Sequence, residues 1–194
     1  MKNINTILLT IILLSCASVK TERIQIEIVT DVGSIVADLY PDLAPITASN
    51  FLKYIENNKF EGAHFYRVVR MDNQPDNEVK IEVIQGGLGI DDEEDSPYKP
   101  IPHETTDKTG ILHTDGVLSM ARLEPGTASS EFFITIGNQP DLDFGGQRNK
   151  DGQGFATFGK VVEGMEVVKN IQNFKEKDQM LIDKIKILSI KIIE

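Results

Sequence analysis

Arg67 and Gln85 are polar residues of this chain whose types could act on a substrate without covalent chemistry. Arg67 lies in His64-Phe65-Tyr66-Arg67-Val68, and Gln85 opens Gln85-Gly86-Gly87 at the spacing of a following strand. An arginine stays protonated and holds its N–H donors in a rigid planar fork. Beside an apolar site it can stabilise charge developing on a reacting atom without any covalent step. The usual covalent chemistries are poorly equipped here. Cys16 is the one cysteine of the chain, so the sequence after it holds no thiol nucleophile and no disulfide framework. Ser129 and Ser130 lack a glycine-flanked nucleophile elbow. His64, His103 and His113 are scattered, and no His/Asp/Glu cluster has metal-ligating spacing. Gly86-Gly87-Leu88-Gly89 is not followed by the Gly-Lys-Ser/Thr of a phosphate loop. A lone arginine at a strand end is usually a surface residue.

The elements that would position these residues are mostly short strands. Ile24, Ile26 and Ile28 alternate with polar residues, and Ile35, Ala37 and Leu39 do so again after Asp31-Val32-Gly33, which predicts two strands around a turn. Pro41 stops the second. A helix is predicted from Pro45 to about Asn58, with Ile46, Phe51, Leu52 and Ile55 on one face. Short apolar runs follow at Phe65–Val69, Ile81–Ile84, Gly116–Met120, Phe132–Ile136 and Phe155–Val162. A second helix is predicted over Met165–Asn173 and a final alternating strand over Ile182–Ile193. Many strands, Gly/Pro turns and two helices point to a mainly β fold, a closed antiparallel barrel. Asp72–Lys80 reads as a polar loop. Asp91–Pro102 reads as a solvated acidic loop, because Asp91, Asp92, Glu93, Glu94 and Asp95 lack the ligand spacing and turn glycine of a calcium loop.

Five segments in order, His64–Val68, Gln85–Gly87, Val117–Ala121, Ser130–Ile134 and Phe158–Met165, resemble the cyclophilin family of peptidyl-prolyl cis/trans isomerases. The resemblance runs from about Gln25 to the C-terminus. It implies an eight-stranded antiparallel barrel capped by two α-helices, spanning residues 24–194, and rotation about X–Pro bonds with no cofactor and no metal. Rotation about a peptide C–N bond meets a barrier of about 18–20 kcal/mol. A hydrogen bond donated to the proline nitrogen weakens the amide resonance as the bond twists. On this resemblance Arg67 is the catalytic donor, and Gln85 braces it and binds substrate backbone. Met120, Ala121 and Arg122 carry extended substrate, while Val83, Phe133, Leu142 and Phe155 form the proline pocket. Proline-containing polypeptides are the implied partners, and a monomer the implied working unit.

Several positions depart from that pattern. Glu82 and Val83 stand where the family usually has phenylalanine and methionine, so a pocket wall is expected to be lost unless the preceding loop supplies another apolar group. Glu131 replaces a frequent glutamine, Asp141 an aromatic residue, and Arg122 the usual asparagine. Glu131 is expected near enough to Arg67 for an ion pair that draws the guanidinium off the proline nitrogen, so that Glu131→Gln would raise the rate. Glu82, Glu131 and Asp141 keep a second reading open, a module of the same fold that binds proline segments and turns them over poorly.

The bulk properties set the surroundings. A net charge of −10 provides no basic stripe for nucleic acid. Lys2, the apolar run Ile4–Leu14 and then Ser15-Cys16-Ala17 resemble a bacterial lipoprotein signal. On that reading residues 1–15 are removed, Cys16 is lipidated, residues 16–23 form a tether, and the domain is held extracytoplasmically on a membrane of the cell envelope. The plainer alternative is an ordinary cleaved signal with an incidental cysteine.

Overall fold

The computed structural model describes residues 23–89 and 96–193. The signal segment 1–15, Cys16, most of the tether and the acidic run Asp91–Asp95 lie outside the described residues. Among those described, no helix is long and apolar enough to cross a membrane.

The chain starts with a hairpin, β1 (Ile24–Thr30) and β2 (Gly33–Leu39), followed by α1 (Pro45–Glu56). Then come β3 (His64–Val69), β4 (Val83–Gly87), the one-turn helix α2 (Thr106–Thr109), β5 (Val117–Met120) and β6 (Phe132–Thr135). The rest is β7 (Ala156–Glu163), α3 (Met165–Gln172), β8 (Glu176–Lys177) and β9 (Met180–Ile192). Neighbouring strands pair antiparallel in the order β1-β2-β7-β5-β6-β4-β3-β9, and β9 returns to β1, closing an eight-stranded ring. Closure leaves the ring without free edges. The two-residue β8 pairs only with β9, as the other arm of a tight hairpin. The expected barrel is therefore present. The two expected helices are α1 and α3, and among the described residues they are joined by α2, whose single turn is too short to show a helical period in sequence.

Alternation divides the barrel strands into an inner and an outer face. Inside are Ile26, Ile28, Phe65, Ile84, Leu118, Phe132, Ile134 and Phe158. Helix α1 adds Phe51, whose ring meets Phe132 edge-on at 5.2 Å and Phe158 at 4.9 Å, and α3 adds Val168 and Ile171 to the same core. Pro45 opens α1 where no N–H is needed, and no side chain of the adjoining turn caps it. Glu104 does so from a distant loop, accepting from the Thr47 N–H at 2.9 Å and the Ile46 N–H at 3.3 Å. A carboxylate there also faces the positive end of the helix dipole.

Candidate active site

A second, smaller apolar cluster lies on the outer face of the sheet. It consists of Val69, Ile81, Val83, Phe133 and Leu142, with Ala121 and Phe155 packed against it. Strand register places the polar residues beside it. Arg67 pairs with Gln85, Gln85 with Phe133, and Phe133 with Ser119, one row across β3, β4, β6 and β5. Residues directly opposite each other share a face, so the arginine, the glutamine and the pocket floor come together from strands far apart in sequence.

The row is interrupted at one point, and the interruption matters. Between Phe65 and Arg67 the register slips, so Tyr66 and Arg67 together oppose Gln85. This is a β-bulge, which re-aims side chains locally. Both residues consequently reach the Gln85 amide: Arg67 Nη1 donates to Gln85 Oε1 at 2.9 Å, and Gln85 Nε2 donates to the Tyr66 hydroxyl at 2.9 Å. From the other side Gln179 Oε1 accepts from Arg67 Nε at 3.1 Å and from Nη2 at 2.5 Å. Of the five guanidinium N–H bonds, three are engaged by two neutral amide carbonyls, and two remain. Burial pushes the Arg67 pKa down from its ordinary value.

Gln179 reaches Arg67 from the β8–β9 turn. Asp178 and Gln179 have φ of 54° and 70°, the left-handed pair that a two-residue hairpin turn requires. The Gln179 N–H donates to Glu176 Oε2 and its Nε2 to the Asn73 carbonyl, which fixes the side chain at both ends.

Glu131 and Arg67 form no ion pair. The Glu131 carboxylate accepts instead from the Tyr66 hydroxyl at 2.5 Å, the Ser130 hydroxyl at 2.9 Å and the Gly89 N–H at 3.1 Å. It lies over Gly87, where an added Cβ would meet Glu131 Oε2 at 2.6 Å and where φ is +144°. At Gly86 an added Cβ would stand 2.7 Å from the Phe65 ring and 2.8 Å from the His64 carbonyl. The two glycines after Gln85 thus make room for different neighbours. Burial, and then the Glu131 charge, push the Tyr66 pKa far above its usual range, so its hydroxyl keeps its proton.

The pocket floor has its own support. Phe133 meets Phe155 edge-on at 5.3 Å and stacks on the His113 imidazole, the two planes 10° apart at 5.9 Å. His113 Nδ1 is 2.7 Å from Asp143 Oδ1 and Nε2 is 2.9 Å from Ser119 Oγ. Burial lowers the His113 pKa, with Asp143 opposing. In the neutral ring Nδ1 donates to the carboxylate, and Nε2 accepts from the serine. The wiring is that of a hydrolytic triad, but Ser119 is 0% exposed, so it acts as a brace for Phe133.

Phe133, Leu142, Val83 and Phe155 come together in the outer cluster, and Ala121 adjoins it, its N–H donating to the Glu131 carbonyl at 2.8 Å. Met120 does not join them: it is 1% exposed and packs in the inner core, because it pairs with Phe132 on the opposite face from Phe133. The Arg122 fork faces the protein, not an open groove. It holds Asp151 through two bonds at 2.9 and 3.0 Å, the Gly154 carbonyl through Nε and Nη2, and the Leu123 carbonyl through Nη1. Its guanidinium also lies over the Phe155 ring at 5.2 Å. This charge-assisted bond keeps the Asp151 carboxyl below its usual range.

The wall expected to be lost at Glu82 comes from its neighbour. Gln74, 1% exposed, bonds both the N–H and the carbonyl of Ile81, and so ties the 72–80 loop down with Ile81 in the cluster beside Val83. Asp141 sits in a 3-10 turn, Pro140–Leu142, whose last residue supplies the apolar wall. Tyr66, Ile81, His113 and Gln179 were not anticipated as parts of the site. Tyr66 adjoins Arg67 in sequence, but Gln179 is 112 residues away and carries no local signal. Among the described residues no group of three or more His, Cys, Asp or Glu stands together to hold a metal ion.

Residues 24–192 match the sequence profile of the family described as cyclophilin type peptidyl-prolyl cis-trans isomerase/CLD. A peptidyl-prolyl cis-trans isomerase of Acinetobacter baylyi is 34% identical over 150 residues, 77% of this chain and 72% of that one. Peptidyl-prolyl cis-trans isomerase B of Escherichia coli is 33% identical over 144 residues, 74% of this chain and 80% of its own. In fold, a crystal structure of a cyclophilin type isomerase from Cryptosporidium parvum superposes with a TM-score of 0.69 at 23% identity, covering 89% of this chain and 99% of its own.

Proposed function

The chain belongs to the cyclophilin-type peptidyl-prolyl cis-trans isomerases, and from that premise we propose that Arg67 is the group that lowers the rotational barrier. The observation that carries this is the Arg67 fork, fixed by the neutral carbonyls of Gln85 and Gln179 with two N–H bonds left over, beside an outward-facing apolar cluster. A proline ring packs against Phe133, Leu142, Val83, Ile81 and Phe155. The preceding carbonyl swings, and the amide nitrogen pyramidalises as its lone pair leaves resonance with that carbonyl. An Arg67 N–H donates to this lone pair, an interaction far weaker in the planar ground state, so it favours the twisted state selectively. Because its bracing acceptors are uncharged, the guanidinium keeps its full positive charge for that bond. Substrate backbone runs beside Ala121 in an extended form.

The substrates we propose are X–Pro bonds in unfolded or partly folded proteins of the bacterial envelope. There spontaneous exchange takes on the order of tens to hundreds of seconds and limits folding. A relative of the same fold was crystallised in the presence of the dipeptide Ala-Pro, which supports a proline-containing ligand. The Lys2, apolar-run and Cys16 pattern supports lipid anchoring outside the cytoplasm. Two experiments test this reading. Full-length protein is assayed for acceleration of X–Pro exchange in a peptide and of proline-limited refolding; rates equal to the uncatalysed ones contradict it. Mass spectrometry of the mature chain from cells finds acyl groups on Cys16; an unacylated N-terminus contradicts the anchor.

A further inference from the structure

The hydrogen bonds behind Arg67 run in one direction, and we infer that Glu131 is the positioning residue that sets that direction. The inference rests on Arg67 being the reacting donor. An ionised carboxylate only accepts, and Glu131 takes the Tyr66 hydroxyl proton in a 2.5 Å bond. Tyr66 has no second proton to give, so toward Gln85 it can only accept, and Gln85 Nε2 donates to it at 2.9 Å. With its NH2 turned to Tyr66, the Gln85 amide presents Oε1 to Arg67 Nη1, also at 2.9 Å. Three links carry the polarity of one carboxylate to the guanidinium.

The seat of this carboxylate is built for it. Gly87, lacking a Cβ, leaves the space that Glu131 occupies, and the Gly89 N–H and Ser130 hydroxyl both point their donors at Oε1. The β-bulge puts Tyr66 and Arg67 on the same partner residue, without which the links would not connect. A neutral glutamine at position 131 offers both a donor and an acceptor. Tyr66 is then free to donate to Gln85 Oε1; that turns the Gln85 NH2 toward the Arg67 N–H bonds, two donors facing each other. The fork loses one of its two braces. Glu131 thus has the opposite effect to a competing ion partner: the carboxylate keeps Arg67 in place.

The test is a mutant cycle of Glu131→Gln, Tyr66→Phe and the double variant, with Arg67→Ala alongside. The readouts are kcat/KM on an X–Pro peptide, melting temperature, and the Arg67 Nε–H resonance in nitrogen–proton NMR spectra. Glu131→Gln is expected to lower kcat/KM about tenfold, the size of one misdirected hydrogen bond, with an unchanged melting temperature and a shifted, broadened Arg67 signal. In the Tyr66→Phe background, where no hydroxyl connects position 131 to Gln85, the same substitution is expected to do nothing further. A rate that holds or rises in Glu131→Gln overturns the inference, as does an equal loss in both backgrounds. Should Glu131→Gln not fold, Tyr66→Phe decides: an unaltered rate and an unaltered Arg67 signal overturn it. Arg67→Ala retaining the wild-type rate would instead refute the assignment of Arg67 itself.

Discussion

The side-chain carbonyl of Gln179 accepts from both Nε and Nη2 of Arg67, although the two residues are 112 positions apart in the chain. One oxygen against that edge of the guanidinium fixes its plane. Gln179→Asn keeps a residue that tolerates the left-handed turn conformation and withdraws the carbonyl by one methylene. The expected result is a kcat/KM loss of about three- to tenfold with little change in melting temperature. Gln179→Glu is also expected to slow the enzyme, because a carboxylate pairs with the fork and competes for the charge the proline nitrogen needs. Steady-state isomerisation assays with both variants check this, and wild-type rates would show that Arg67 needs no second brace.

Gly87 combines a positive φ with contact to a carboxylate. Gly87→Ala is expected to destabilise the fold by about 1–3 kcal/mol through backbone strain alone, and to displace Glu131 in addition. Chemical denaturation and the isomerisation assay should both register the change. A stable, fully active Gly87→Ala protein would mean that the packing of Glu131 over this glycine is not required.

His113 predicts a pH dependence of stability. Its folded pKa is lowered from 6.5 by burial, so the unfolded chain takes up a proton before the folded one does. The contribution of the neutral ring is complete above the unfolded pKa, and is lost as pH falls below about 6.5 toward the folded value. Asp143 is the charged group that faces the ring, and Ser119 and Phe133 complete its contacts. Melting temperatures between about pH 7.5 and pH 5 should fall more steeply for the wild type than for His113→Gln. Parallel curves would remove His113 as the source.

Arg122, just past the end of β5, holds the 151–154 loop that leads into Phe155 and lies over the Phe155 ring. Arg122→Ala is expected to raise KM about three- to tenfold and to leave kcat nearly intact, since a loosened pocket wall weakens ground-state and transition-state binding alike. A selective fall in kcat would instead place Arg122 at the reacting bond.

Periodicity and turn residues made the barrel legible: the alternating isoleucines of β1 and β9 and the apolar face of α1 each follow a period that packing preserves. Arg67, Gln85 and Phe133 were named through the family resemblance, while the register that sets them in one row is seen only in the strand pairing. The relation of Glu131 to Arg67 was not. A one-residue bulge moves Tyr66 between them, and nothing in the local pattern of His64–Val69 marks where the register slips. Met120 was misplaced because alternation, not motif membership, decides the face: its neighbour Ser119 points outward and Met120 inward. Ile81 was missed because the wall left open at Glu82 is filled one residue earlier, by a segment that Gln74 tethers.

Arg67 accelerates rotation and does not merely bind substrate. Exchange NMR with saturating X–Pro peptide separates the two, giving the catalysed cis/trans rate on the enzyme and the affinity in one experiment. Arg67→Ala is expected to lower the on-enzyme exchange rate by about a hundredfold or more while affinity changes only a few-fold. An exchange rate equal to that of the wild type, or a loss confined to affinity, would contradict the account.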